Sequence, residues 1–113
     1  MVVKPQAWVE EAGGVRDAVA VKVIVELKAQ PGRRDELRSL IEELAGRERP
    51  SGYHGSTYYE SLDDPDLLID IAYWESPEAR TAHLSKAMAT GAYGPVIEML
   101  AGPFRATVIR RLP

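Results

Sequence analysis

The sequence predicts an α+β fold, an antiparallel four-stranded sheet with helices on one face. Segments that alternate between apolar and polar residues indicate strands. Two segments with a 3.6-residue apolar period indicate helices, and the order of all six is β-α-β-β-α-β. The 113 residues suit one compact domain. We place an N-terminal extension at residues 1–18, which either docks through Trp8 or forms a mobile tail, and the domain at residues 19–113.

The first strand and the first helix have the clearest patterns. The segment from Ala18 to Lys28 is rich in β-branched residues and alternates in polarity, which predicts a strand. A Pro-Gly break follows. The next segment has apolar residues at helical spacing and predicts one buried helix stripe, formed by Leu37, Leu40, Ile41 and Leu44. Gly46 is the predicted end of this helix.

The next two strands form a predicted hairpin. "YHGSTYYES" is followed by the turn signal "LDDPD" and then by the apolar segment "LLIDIAYW". We assign one set of the third strand's side chains to the helix-covered face: Leu67, Ile69, Ile71 and Tyr73. Strand alternation then places the other set on the open face of the sheet: Leu68, Asp70, Ala72 and Trp74.

Ser76, Pro77 and Glu78 are typical of a helix start, as N-cap, first helical residue and first-turn acid. Gly91 and Gly94 interrupt this helix before a short restart at Pro95, and "FRATVIRRL" predicts the fourth strand. This element order is the ferredoxin-like pattern. Right-handed crossovers then give the spatial strand order 4-1-3-2.

Composition excludes several classes of function. The net charge is −3 and the basic residues are dispersed, so we expect no nucleic-acid partner. No apolar run approaches the ~20 residues of a membrane span, so we expect no membrane partner and a cytoplasmic protein. The chain has no cysteine and only two histidines, which offers no metal-ligand spacing. We therefore expect no metal site.

The open face of the sheet is partly apolar and predicts a homodimer in which two such faces stack. Lys22 and Asp70 lie on neighbouring strands, and on the assigned faces they either form an ion pair in that interface or both reach solvent.

The ordered motifs give a family resemblance. "QPGRRDEL" follows the first strand, "PSGYHGSTYYESLDDPDLLIDIAYWESPEARTAHLSKA" covers the middle of the chain, and "MLAGPF" precedes the last strand. Over Val19–Leu112 the chain resembles the antibiotic biosynthesis monooxygenase family of the dimeric α/β-barrel superfamily. The resemblance implies a homodimer with a ligand pocket between sheet and helices. It also implies oxygenation of quinol, anthrone or polyphenol substrates without metal or flavin.

A related branch of that superfamily degrades haem with a Trp, a helix His and an Asn. Trp74 and His83 match the first two, but the chain contains no asparagine. We therefore expect an oxidoreductase with no cofactor, in which His83 is the catalytic base and Trp74 a wall for a flat ring. Trp74 as a core residue and His83 as a helix-surface residue are the structural alternatives.

The expected ligand is a small aromatic or hydrophobic molecule. We expect four further residues to contact it: Tyr73, Tyr58, Tyr93 and Met99. Two other functions stay open at this point. One is binding of a small molecule without turnover, and the other is haem binding with His83 as the axial ligand.

Overall fold

The computed structural model describes residues 21–113. Its elements are β1 (Val21–Lys28), α1 (Arg34–Glu48), β2 (Tyr53–Glu60), β3 (Leu67–Trp74), α2 (Pro77–Thr90), α3 (Gly94–Glu98) and β4 (Arg105–Ile109). The predicted α+β ferredoxin-like order is confirmed. The predicted extension and the start of the first predicted strand lie outside the described residues. No helix of residues 21–113 is both long and apolar enough to cross a membrane.

The four strands form one antiparallel sheet in the order β2-β3-β1-β4, which confirms the predicted neighbours. Register fixes the faces. Val21 lies opposite Trp74 and Val23 lies opposite Ala72, so these side chains share the helix-covered face. All four are buried in one core cluster. A second cluster, centred on Leu37 of α1, continues the core toward the other end of the sheet.

The predicted facing of β3 is therefore wrong. Leu68, Ala72 and Trp74 are buried beneath the helices, whereas Ile71 and Tyr73 lie on the open face. Both faces of this strand are largely apolar, so hydrophobicity alone does not decide which one is covered. The register of strand pairing decides it, because a shift of one residue moves every side chain to the other face of the sheet.

The proposed contact between Lys22 and Asp70 is also wrong, because the two side chains lie on opposite faces. The Lys22 ammonium lies 5.9 Å from the centre of the Tyr73 ring on the open face. Asp70 faces the helices.

The helix ends follow local backbone chemistry. Ser76 caps α2 as predicted, since its hydroxyl accepts a hydrogen bond from the Ala79 N–H at 3.0 Å. Gly46 does not end α1, and the helix continues to Glu48. Arg49 then adopts a left-handed φ of 43° and donates its N–H to the Ala45 carbonyl. The side chain at the terminating position is therefore an arginine, which the preference for glycine did not predict.

Gly52 places α2 close to the start of β2. It has a φ of +84°, and a Cβ at this position would come 2.7 Å from the Cβ of Ala79. Its carbonyl accepts a hydrogen bond from the Glu75 N–H at 2.9 Å. Only glycine combines this conformation with this close approach. The contact fixes the first turn of α2 at Ala79, one turn before His83.

Candidate active site

A cavity of about 170 Å³ lies between the helix-covered face of the sheet and the helices. Its walls are mostly apolar and include Val23, Leu44 and Val96. The polar side chains that line it are fewer: Glu48, Tyr53, Ser56, Asp70, Trp74, Arg80, His83 and Tyr93. Phe104 and Ile97 also line it, and both are about half exposed, so the cavity reaches solvent on their side. A mostly apolar cavity with a few polar groups is typical of a small-molecule site.

Four rings form a continuous aromatic cluster at one end of the cavity. The centres of the Trp74 and His83 rings are 5.7 Å apart with their planes tilted by 32°. Tyr53 lies 5.2 Å from Trp74 on one side, and Tyr93 meets His83 edge-on at 5.8 Å on the other. These separations are within the range of favourable aromatic contacts. Trp74 is buried, so the cluster holds the imidazole against a rigid wall.

His83 reaches the cavity from α2. Ala79 and Ala87 lie one turn before and one turn after it on the same helix face, and Ala87 is buried. Small side chains at these positions let the helix approach the sheet. The Nε2 atom of His83 lies 2.6 Å from the Tyr93 hydroxyl, which fixes the ring orientation.

The environment of His83 favours the neutral imidazole. Burial lowers its pKa below the usual 6.5, and the positive charges of Lys86 and Arg80 act in the same direction. Glu48 opposes them. A neutral imidazole at pH 7 can accept a proton, which is what a general base requires.

Asp70 is a carboxyl group inside the same cavity. Its Oδ1 atom is buried and has no hydrogen-bond partner among residues 21–113. Burial raises the pKa of Asp70 to about 6, and the nearby Ser56 hydroxyl partly opposes that shift. A carboxylate in a mostly apolar wall loses hydration that the Ser56 hydroxyl replaces only in part.

A register shift in β2 brings two hydroxyl groups to the cavity. Residues three apart on a regular strand face opposite sides of the sheet. The pairing of β2 with β3 is irregular between Tyr53 and Ser56, with Gly55 at a φ of +103°. The irregularity turns both side chains toward the cavity, where the two hydroxyls lie 2.5 Å apart.

The structure brings together three of the residues that the sequence analysis singled out. His83, Trp74 and Tyr93 all line the cavity. Tyr58 and Met99 pack against the neighbouring core cluster instead and do not line it. Tyr73 lies on the open face of the sheet, with its hydroxyl 2.8 Å from that of Thr57. The expected position of Tyr73 in the ligand pocket followed from the wrong facing of β3.

Sequence analysis missed Asp70, Ser56, Tyr53 and Arg80 as lining residues. The sequence does contain a signal that marks Asp70. It is an isolated acid within the apolar segment "LLIDIAYW", where burial of a charge is costly. No pattern in the sequence marks the β2 irregularity that turns Tyr53 and Ser56 inward. Residues 21–113 contain no group of three or more His, Cys, Asp or Glu side chains that could hold a metal ion.

Comparisons with known proteins agree with the architecture. A family model described as antibiotic biosynthesis monooxygenase matches residues 20–92. A search of curated proteins gives no match. Among solved structures, Rv0793 of Mycobacterium tuberculosis is 26% identical, with a TM-score of 0.66 over 82% of this chain and 95% of that one.

Two further solved structures share the fold at lower identity. A conserved protein from Methanosarcina mazei is 16% identical, with a TM-score of 0.71 over 88% of this chain and 99% of that one. A monooxygenase from the gene ActVA-Orf6 of Streptomyces coelicolor, solved with the ligand nanaomycin D, is 18% identical. Its TM-score is 0.65 over 85% of this chain and 90% of that one.

Proposed function

This chain belongs to the antibiotic biosynthesis monooxygenase family, and from that premise we propose that it is a cofactor-independent monooxygenase of the cytoplasm. Its substrate is a small hydroxylated aromatic of the quinol, anthrone or polyphenol type. The observation that carries the proposal is the imidazole of His83 in a mostly apolar cavity, packed against the Trp74 ring and hydrogen-bonded to Tyr93. His83 is the base, and Trp74 is the wall against which the substrate ring lies.

The size of the cavity favours a substrate with one ring. Its volume is about 170 Å³, whereas an engineered apolar cavity of about 150 Å³ binds benzene. A larger polycyclic substrate would extend past Phe104 and Ile97 into solvent. We therefore place the quinol type ahead of the anthrone type.

The chemistry needs a proton acceptor and exclusion of bulk water. His83 takes the proton from a ring hydroxyl, and the resulting anion transfers one electron to O₂. The two radicals combine at the neighbouring ring carbon to form a peroxide, which takes the proton back from His83. Loss of the C–H proton and cleavage of the O–O bond release water and leave one oxygen atom on the ring. A quinol and O₂ thus give a hydroxyquinone and H₂O, with four electrons passing from substrate to O₂.

Tyr93 sets the state of the base. If the protonated Nε2 of His83 donates to the Tyr93 oxygen, Nδ1 remains free to accept the substrate proton. Burial raises the pKa of Tyr93, with a further contribution from the charge of Asp70. Its hydroxyl therefore stays neutral at the working pH and does not compete as a base.

The haem alternative fits the cavity poorly. A haem macrocycle is several times larger than the single ring that a cavity of this volume holds. The His83 Nε2 atom already has Tyr93 as its partner. A haem titration tests this alternative. A Soret band that is lost in His83→Ala would favour it over the oxygenase.

Oxygen uptake tests the proposal against binding without turnover. We expect the chelator-treated protein to accelerate O₂ uptake with 1,4-dihydroxybenzene, and His83→Ala to abolish the acceleration. His54→Ala is the matched control, because His54 is exposed at the start of β2 and is not in the cavity. Tight binding of the quinol with no accelerated uptake would favour a binding protein.

A homodimer is the second part of the proposal, and the open face of the sheet is its proposed interface. With the corrected facing of β3, this face carries more apolar side chains than the sequence analysis expected: Ile24, Ile69, Ile71, Tyr73 and Ile109. Two such faces packed together would remove this area from water.

Sedimentation equilibrium tests the dimer. We expect a dimer for the wild-type protein at micromolar concentration and a monomer for Ile71→Glu, because Ile71 lies in a central strand of the open face. Leu62→Glu is the control, since Leu62 is 93% exposed in the turn between β2 and β3. A monomeric wild-type protein would contradict the proposal.

A further inference from the structure

Building on the proposed function, we propose that Asp70 selects the substrate. Its carboxylate accepts a hydrogen bond from a second hydroxyl group, at the end of the cavity away from His83. The preferred ligand is therefore an aromatic ring with hydroxyl groups on opposite carbons, and a ring with one hydroxyl binds less tightly.

Spacing along β3 separates the two proposed proton and hydrogen-bond acceptors, His83 and Asp70. Asp70 lies opposite Val25 of β1 and Tyr58 of β2, on the same face as Trp74. Four residues of strand place the Cα atoms of Asp70 and Trp74 about 13 Å apart. Since the His83 ring contacts that of Trp74, the strand spacing places the imidazole and the carboxylate at different positions along one cavity.

One oxygen of the Asp70 carboxylate has no partner within residues 21–113. Its buried Oδ1 accepts no hydrogen bond from residues 21–113, and none of the ion pairs among these residues includes Asp70. Leaving a buried acceptor unpaired is costly, so a native protein rarely retains one without a role. A donor on a bound ligand would satisfy this oxygen.

Two groups in the cavity titrate near neutral pH, Asp70 and His83, and the charged side chains of Glu48 and Arg80 line the same cavity. Ser56 and Tyr53 bond to each other, and Tyr58 lies across from Asp70 on β2. Burial raises the pKa of Tyr53, Tyr58 and Tyr93 above the usual value near 10, so these hydroxyls remain protonated. Burial raises the pKa of Asp70 to about 6, so the carboxylate is mostly ionised at pH 7.

The walls around Asp70 favour a hydroxyl donor over an ammonium. Val25, Val23 and Leu27 of β1 line the same cavity. A cation would lose its hydration against these side chains, whereas a neutral hydroxyl loses much less. One ring with two hydroxyls supplies a proton to His83 at one end and a hydrogen bond to Asp70 at the other.

Anaerobic binding of two probes tests the inference. 1,4-Dihydroxybenzene carries both hydroxyls, and 4-methoxyphenol replaces one with a group that cannot donate. We expect the wild-type protein to prefer the diol by at least tenfold, since a hydrogen bond to a charged group is worth at least that much. Asp70→Leu should bind both probes equally. Asp63→Leu, in the exposed turn between β2 and β3, should keep the wild-type preference.

A pH titration gives a second readout that does not depend on the leucine variant folding. The ratio of the wild-type protein's affinities for the diol and for 4-methoxyphenol should fall as the pH drops below about 6, the pKa of Asp70, because protonation of His83 affects both probes alike; Asp70→Asn should lose that change. Equal binding of both probes by the wild-type protein, or an unchanged preference in Asp70→Leu, would overturn the inference. Failure of turnover with the preference intact would refute only the proposed function.

Discussion

The charge on Asp70 should destabilise the fold at neutral pH, and Asp70→Asn should remove that cost. Burial raises the pKa of this carboxyl from an ordinary 3.8 to about 6. The difference corresponds to a cost of about 3 kcal/mol when the carboxyl is ionised in both the folded and the unfolded chain. The asparagine side chain has nearly the same shape and no charge.

The destabilisation that the Asp70 charge causes grows as the pH rises. The folded chain holds the Asp70 proton more tightly than the unfolded chain does, so stability falls as the pH rises between 3.8 and about 6. The cost is about 1 kcal/mol at pH 4.5 and reaches about 3 kcal/mol at pH 7.5. The free energy of unfolding of Asp70→Asn relative to wild type should therefore rise by about 2 kcal/mol between these two pH values.

Urea unfolding of both proteins at pH 4.5 and pH 7.5 measures this change. Other titrating groups, including His83, contribute equally to both proteins and cancel in the difference. The protein concentration must be held fixed, because self-association would add to the apparent stability. Asp63→Asn is the control, and as an exposed turn residue it should give the same difference at both pH values. If the difference in unfolding free energy between Asp70→Asn and wild type were also the same at both pH values, the claim that Asp70 lies in a dry cavity would be refuted.

Three further predictions concern the base, its partner and the helix that carries it. His83→Ala should lower kcat/KM with 1,4-dihydroxybenzene by about 10²–10⁴-fold, the usual worth of a general base, while His54→Ala leaves it unchanged. Tyr93→Phe removes the hydroxyl on Nε2 and should lower kcat/KM by roughly five- to tenfold; a pH–rate profile identical to wild type would contradict a role in setting the imidazole. Gly52→Ala should destabilise the protein by about 1–3 kcal/mol in thermal unfolding, because its φ is positive and its Cβ would overlap Ala79. Gly46→Ala, inside α1 with open space around it, should instead stabilise it by about 0.5–1 kcal/mol.

The architecture could be predicted because its signals are local. The alternation of β1, the cap at Ser76 and the turn before β3 each fix one element within a few residues. Crossover handedness then orders the strands. The facing of β3 could not be predicted in this way, because Leu67, Ile69 and Ile71 make its open face as apolar as its buried one.

The candidate site was predictable only in part, for the same reason. Trp74 and His83 were singled out by residue type and resemblance, and the structure places their rings 5.7 Å apart. Asp70 was assigned to the open face along with the rest of its set, so its place in the cavity was missed. Ser56 and Tyr53 depend on a register irregularity, which is a property of two paired strands and not of one segment.

The most direct test of the account is an isotope measurement on chelator-treated protein with 1,4-dihydroxybenzene under ¹⁸O₂. We expect a hydroxyquinone that carries one ¹⁸O atom on its ring, formed by the wild-type protein and not by His83→Ala. Simple oxidation of the quinol by O₂ adds no oxygen to the ring, so the label separates the proposed reaction from background. Quinone without the label, produced at the same rate with and without the protein, would contradict the account.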